Sequence, residues 1–255
     1  MNTLIALLLG LLLDAVIDHH TPMPIYGTAK QWRAFPWVGS YLDFVGDCLN
    51  ASSLIKRTLG LLIVLLPLPT LAAILWAVLS MTLNWAAIIF EAIVLMFCLL
   101  PLDKSLSPDP QVVEFTEQVS SATNETFTGR FVVLFWFAIL GAFGAVLFRI
   151  LNFLVQSLTS EESNFSVTAK GLHHALSWLP ARITAYLFAL TGSFVATYDR
   201  FSEHLLNFEM ANEIVLKDCV LAALEGSPSS VQALESLLMR TGWAWVILLA
   251  IVLLC

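Results

Sequence analysis

Long apolar runs separated by short polar stretches dominate this chain. A helix needs about 20 mostly apolar residues to cross a hydrocarbon core about 30 Å thick. Four runs reach or approach that length: 59–81, 83–100, 131–154 and 238–255. Pro67 and Pro69 lie inside the first run and remove helix hydrogen bonds, so a kink is expected there. Two further segments, 1–17 and 172–195, are apolar but interrupted. The first meets Asp14 and Asp18 and has neither a basic start nor a small-residue cleavage site. It reads as an uncleaved anchor or a re-entrant piece, not a cleaved leader. The second begins at His173 and His174 and carries Pro180 and Arg182, which suits a buried or interfacial helix as well as a full span. Polar regions lie at 18–58, 103–130 and 199–236. In the last of these, leucine and alanine alternate with charges at helical spacing, and 226–230 punctuate it. The expected fold is all-α: a polytopic helical integral membrane protein with four spans and up to two further membrane-embedded helices. The whole chain, 1–255, is expected to form one membrane domain.

Composition supports the same class. The chain is 58% hydrophobic and only 12% charged, with a mean hydropathy of +0.83. A soluble domain carries about 25% charged residues, so this chain cannot cover a water-facing surface of ordinary kind. Disorder requires the opposite composition. A membrane β-barrel would show short alternating strands in place of unbroken runs. The net charge is −7, and Lys56-Arg57 is the sole basic pair, which excludes nucleic-acid binding and a polybasic headgroup anchor. The partner implied is the lipid bilayer. Lys30, Arg33, Lys56 and Arg57 precede the first run, and the link to the second is uncharged. The positive-inside tendency therefore places 18–58 in the cytoplasm and that link outside. Cys48, Cys98, Cys219 and Cys255 have no metal-like spacing and read as small hydrophobes.

Candidate chemistry is sparse. The chain has no phosphate loop, no nucleophile elbow and no zinc-binding helix motif, and no cofactor is expected. Glu91 lies near the middle of the second run, where a charge costs about 2.5–3.5 kcal/mol by insertion scales and normally finds a partner. Arg149 and Arg182 are the candidate partners. Arg149 and Asn152 are three apart on one helix face. Small residues four apart, Ala138/Ala142 and Gly141/Ala145, read as a helix-packing face. His173 and His174 are adjacent, point to different sides of a helix and make a poor metal clamp.

Several elements resemble the AmpE family of membrane proteins. Phe135-Trp136-Phe137, Gly141, Gly144-Ala145, Leu147 and Arg149 form one. Trp178-Leu-Pro-Ala-Arg182, with Ile183-Thr184-Ala185 and Phe188-Ala189-Leu190, forms the most distinctive. Gln31-Trp-Arg33, Phe35, Trp37 and Tyr41-Leu-Asp43 add a third. The resemblance is specific over 124–200, looser over 1–60, and compositional elsewhere. It implies a multi-pass component of the bacterial inner membrane, with other inner-membrane proteins as partners, linked to β-lactamase induction in Gram-negative bacteria. The family is distantly related to the CobD/CbiB membrane proteins of cobalamin assembly. That branch resembles a pattern with an Asp-Gly where this chain has Thr128-Gly129, an aspartate where it has Val155, and two aspartates where it has His173-His174. Hard oxygen ligands for a phosphate–metal route are therefore missing.

The function expected from this is a non-catalytic modulator of β-lactamase induction. Its polar patch would comprise Arg149, Asn152, Arg182 and Trp178, facing Glu91 and flanked by His173 and His174. On that reading, Arg182→Ala removes function while the protein stays in the membrane. The rivals are an adenosylcobinamide-phosphate synthase-like enzyme and a small-molecule carrier. The second is motivated by Glu91 and the proline-interrupted first run.

Overall fold

The computed structural model describes residues 2–20, 54–99, 115–157, 164–205, 207–225 and 230–254. The Trp-rich element at 31–43 lies outside these residues, as do the side chains of His19 and His20 and much of the polar regions expected at 18–58 and 103–130. Every regular element among the described residues is helical, which agrees with the all-α expectation. The chain forms two compact units, Met1–Pro101 with Val133–His173, and Leu102–Val132 with His174–Cys255.

The first unit holds α1 (Asn2–His20), α2 (Leu54–Leu65), α3 (Pro67–Thr82), α4 (Asn84–Cys98), α6 (Val132–Leu140), α7 (Ala142–Ser157) and the start of α8 (Asn164–Thr191). The apolar run at 59–81 is divided once, at Leu66, which keeps helical dihedrals (φ −79°, ψ −35°), so the expected proline kink falls between α2 and α3. Pro67 and Pro69 have no N–H to give to Ile63 and Leu65, and they occupy the first turn of α3, where a missing donor costs nothing. The Thr70 hydroxyl donates to the Leu66 carbonyl at 2.8 Å and helps seal the break. Leu83 is extended, with φ −144° and ψ 90°, and separates α3 from α4. Asn2 lies against Asn84, and a methyl on Gly10 would touch Ala92 and Leu95, so α1 and α4 run in the same direction in close contact.

The run at 131–154 is also divided. Gly141 has φ +62°, a left-handed conformation that glycine adopts without a Cβ penalty. It ends α6 and begins α7. A Cβ on Gly144 would collide with the Trp136 carbonyl and lie 2.8 Å from Leu140 Cβ. The chain therefore turns a sharp corner here rather than bending gently, and the small-residue spacing expected to pack a second helix instead lets this chain fold back on itself.

The second unit holds α5 (Phe115–Thr126), a single wide π-turn (Phe127–Phe131), the remainder of α8, α9 (Phe194–His204), α10 (Asn212–Ala223) and α11 (Val231–Leu254). Within it α10 packs against α5 and α9. Pro180 lies inside α8 without ending it, and the Thr184 hydroxyl donates to the Pro180 carbonyl at 2.8 Å. Two polar contacts tie α8 to α11: the hydroxyls of Thr191 and Thr241 are 2.9 Å apart, and Trp245 Nε1 donates to the Thr184 hydroxyl at 3.2 Å. Trp245 is fully buried and stacks on Phe131.

Among the described residues, α11 alone is both long and apolar enough to cross a membrane. At 16 and 15 residues, α3 and α4 rise about 22–24 Å, short of the hydrocarbon thickness. Their surfaces are nonetheless apolar and uncovered. Pro69 is the buried residue of α3, whereas Leu71, Ile74, Leu75 and Val78 are exposed. In α11 the buried face carries Leu234, Leu237, Thr241, Trp245 and Leu249, and the opposite face presents Met239, Trp243, Ile247 and Ile251. A surface helix in water would carry polar residues on that outer face.

Candidate functional site

The residues expected to form one polar patch divide between the two units. Glu91, Arg149, Asn152 and His173 belong to the first; His174, Trp178 and Arg182 belong to the second.

In the second unit Arg182 is the centre of a dense network. Trp178 and Arg182 are one helical turn apart on α8, and the guanidinium lies over the indole with its carbon 5.1 Å from the ring centre. Arg182 donates from Nη2 to the Asn207 carbonyl at 2.7 Å, from Nε to the Leu205 carbonyl at 3.2 Å, and from Nη1 to Asn212 Oδ1 at 3.4 Å. Asn212 Nδ2 in turn donates to the His174 carbonyl at 3.2 Å. The His174 ring nitrogen Nε2 is 2.7 Å from the Phe208 carbonyl, and the Phe208 ring packs on both His174 and Trp178. Asn207 Oδ1 accepts from the Glu209 and Met210 amides and shapes the turn. The last carbonyls of α9 and the turn that follows have no helical donor, and the planar guanidinium fork supplies several at once. Arg182 thus pins the α9–α10 connection onto α8. Asn207, Phe208 and Asn212 complete this clamp, and the sequence pattern did not single them out.

The first unit is arranged differently. Arg149 and Asn152 are buried on α7 as expected from their spacing, and Asn152 Nδ2 has no hydrogen-bond partner. The His173 ring stacks on Phe148 at 5.3 Å. Cys98 on α4 lies within electrostatic reach of Arg149. Glu91 is 5% exposed and makes neither a hydrogen bond nor an ion pair, so its expected pairing with Arg149 is not formed. Its carboxylate instead points at the α6–α7 corner: Oε1 lies 3.1 Å from where a Cβ on Gly141 would be. Among the described residues no group of three His, Cys, Asp or Glu side chains converges as a metal site would require.

No family model matches this chain, and neither a curated protein nor a solved structure does.

Proposed function

We propose that this chain is a polytopic, non-catalytic protein of the bacterial inner membrane, of the AmpE type, which modulates β-lactamase induction. The observation that carries the membrane part is the uncovered apolar surface of α3, α4 and α11. Helices that are apolar on their outer faces and are not buried in protein are stable in lipid. The antiparallel hydrogen-bonded pairing of α8 with α11, through Thr191–Thr241 and Thr184–Trp245, supports a second membrane-embedded helix beside α11. Polar contacts of this kind join helices within bilayers.

The AmpE part rests on the Trp178-Leu-Pro-Ala-Arg182 element, which is built into a clamp whose residues each have a defined task. This clamp occupies three donors of Arg182 with the protein's own oxygens, which fits a scaffold better than an anion-binding site. Two experiments test the proposal. Alkaline carbonate extraction of membranes should leave the protein in the pellet; release into the supernatant would sink the membrane reading. β-Lactamase activity with and without an inducing β-lactam should differ in induction ratio between a deletion strain and its complemented parent. An unchanged ratio would remove the regulatory role.

A further inference from the structure

Within the second unit, α8 and α9 form a hairpin that turns at Gly192 and Ser193, and α9 then runs back along α8. Arg182 Nε reaches the Leu205 carbonyl at 3.2 Å, and the Tyr186 and Phe201 rings lie 6.1 Å apart. At about 100° per residue, α9 sorts into three arcs. The inner stripe is Thr197, Phe201 and His204: the first two are buried, and His204 Nε2 lies 3.7 Å from Asp218 Oδ2 on α10. On one side of that stripe lie Phe194, Tyr198 and Val195, all exposed. On the other lie Asp199, Arg200 and Glu203, also exposed, with Arg200 and Glu203 paired at 3.7 Å. Phe194 stacks on Tyr198 at 5.5 Å, Tyr198 packs on Phe201, and Phe201 packs on Tyr186. Leu190 is exposed one turn beyond Tyr186. The result is one apolar strip along the α8–α9 seam, whose exposure runs from 42% at Tyr186 to 72% at Val195.

A helix that buries one stripe in its own unit and stands in water carries polar residues on the rest of its circumference. α9 does so on one side only. Its two outer arcs call for an apolar and an aqueous solvent side by side, and the boundary of a bilayer supplies both. Tyrosine suits that boundary, because its ring enters the apolar side while its hydroxyl stays wet. At 11 residues α9 rises about 17 Å, too short to span, and its charges would be costly in hydrocarbon. The neighbouring α11 fixes the level. Arg240 is its last charged residue, and 241–255 carry no charge. Thr241, at that change, lies 2.9 Å from the hydroxyl of Thr191, three residues before Phe194. The hairpin turn therefore sits where α11 passes from polar to apolar sequence, and Trp243 is exposed just beyond it.

We propose that Tyr186, Leu190, Phe194, Val195 and Tyr198 form a lipid-contact strip that seats α9 in the headgroup boundary of the bilayer, with Asp199, Arg200 and Glu203 turned to water. The lipid it takes is zwitterionic, because two acidic residues against one basic residue give α9 no attraction for anionic headgroups. Burial of the apolar rings holds it there. The proposal rests on the membrane reading of α11 and is independent of the regulatory role.

The test uses the full chain in phosphatidylcholine nanodiscs, with photoreactive p-benzoylphenylalanine replacing Tyr198, Glu203 or Trp243 in turn. All three positions are exposed, so the replacements leave the core intact. Mass spectrometry after irradiation reads the lipid adducts. Tyr198 and Trp243 should both give them, and Glu203 several-fold fewer. Addition of phosphatidylglycerol should leave the yield at Tyr198 unchanged. Adducts at Trp243 but not at Tyr198 would overturn the proposal and leave the membrane reading standing; adducts at neither would overturn both. Equal yields at Tyr198 and Glu203 would mean that α9 has no lipid side. Cross-links from Tyr198 to a second copy of the chain would make the strip a protein interface, and a several-fold rise with phosphatidylglycerol would make it an anionic-lipid site. Each of these three results also overturns the proposal.

Discussion

In the second unit the buried guanidinium of Arg182 is surrounded by carbonyls that need its donors, and the network closes around it. In the first unit the buried carboxylate of Glu91 faces a helix break and closes nothing. Along the chain the two residues look alike: each is one charge inside an apolar segment. The difference lies in what the neighbouring backbone leaves unsatisfied. Where a helix end offers carbonyls to a cation the protein itself supplies, the charge is a structural clamp. Where a buried carboxylate meets a chain corner and no donor of the protein's own, it closes nothing.

The largest effect that can test this contrast is loss of the clamp. Arg182→Ala removes its bonds to the part-exposed Leu205 and Asn207 carbonyls and leaves the buried Asn212 Oδ1 unpaired, at roughly 1–3 kcal/mol for that buried group. Thermal unfolding in detergent should show a drop of several °C or more, with early proteolysis at the 205–211 turn. Arg182→Lys should recover little, because an ammonium cannot span three acceptors as the fork does. This outcome replaces the expectation that Arg182→Ala spares the protein and removes function alone. E91Q, by contrast, should unfold within about 1 kcal/mol of wild type, since no hydrogen bond or ion pair is lost. If E91Q proved as damaging as Arg182→Ala, the two units would not differ in the way described.

Next in size are the close approaches that hold each unit's chain reversal. A methyl on Gly144 would collide with the Trp136 carbonyl and Leu140 Cβ, and one on Gly192 would come within 2.7 Å of the Ala223 carbonyl and Cβ. Both obstacles include backbone, so Gly144→Ala and Gly192→Ala should each cost about 1–3 kcal/mol by overpacking. Circular dichroism melts would measure this.

A smaller effect is expected at the α8–α11 seam. Trp245→Phe keeps most of the buried ring but leaves the Thr184 hydroxyl without its donor, at about 1 kcal/mol. The double variant with Thr184→Val should cost less than the sum of the two single changes, because the lost bond is shared.

These contrasts also explain which features the sequence made legible. The helical class follows from unbroken apolar runs. The bend at Leu66 follows from Pro67 and Pro69. Gly141 was not legible, because a glycine among small residues looks the same whether it packs a neighbour or adopts φ +62°. Helix lengths misled in the same way: 131–154 is long enough to span only if it is continuous. The Trp178–Arg182 pair was legible by its one-turn spacing, but its partners were not. The Leu205 and Asn207 carbonyls belong to residues whose side chains carry no such signal, and Asn212 lies 30 positions from Arg182. Glu91 stood out as a charge in an apolar run, and its pairing with Arg149 is not formed because sequence shows charges but not how far apart the fold sets them.

The smallest expected effect is chemical, and it reports on the clamp from within. Cys219 is fully buried on α10, and burial pushes its thiol from its usual value near 9 up to about 12, with the neighbouring Asp218 adding to the rise and Arg182 opposing it. The neutral thiol is therefore the form the fold favours. The associated stability is intact below pH 9 and declines as pH rises from 9 toward 12, where the unfolded chain releases a proton that the folded one retains. At pH 8 the native thiol is neither ionised nor accessible, so maleimide should modify it far more slowly than in denatured protein. Removal of the clamp opens the α9–α10 connection beside it, and Arg182→Ala should accelerate this labelling by many-fold. E91Q should leave the rate unchanged. Fast labelling of Cys219 in the intact protein would show that the second unit is not closed around Arg182, and the contrast between the two units would lose its basis.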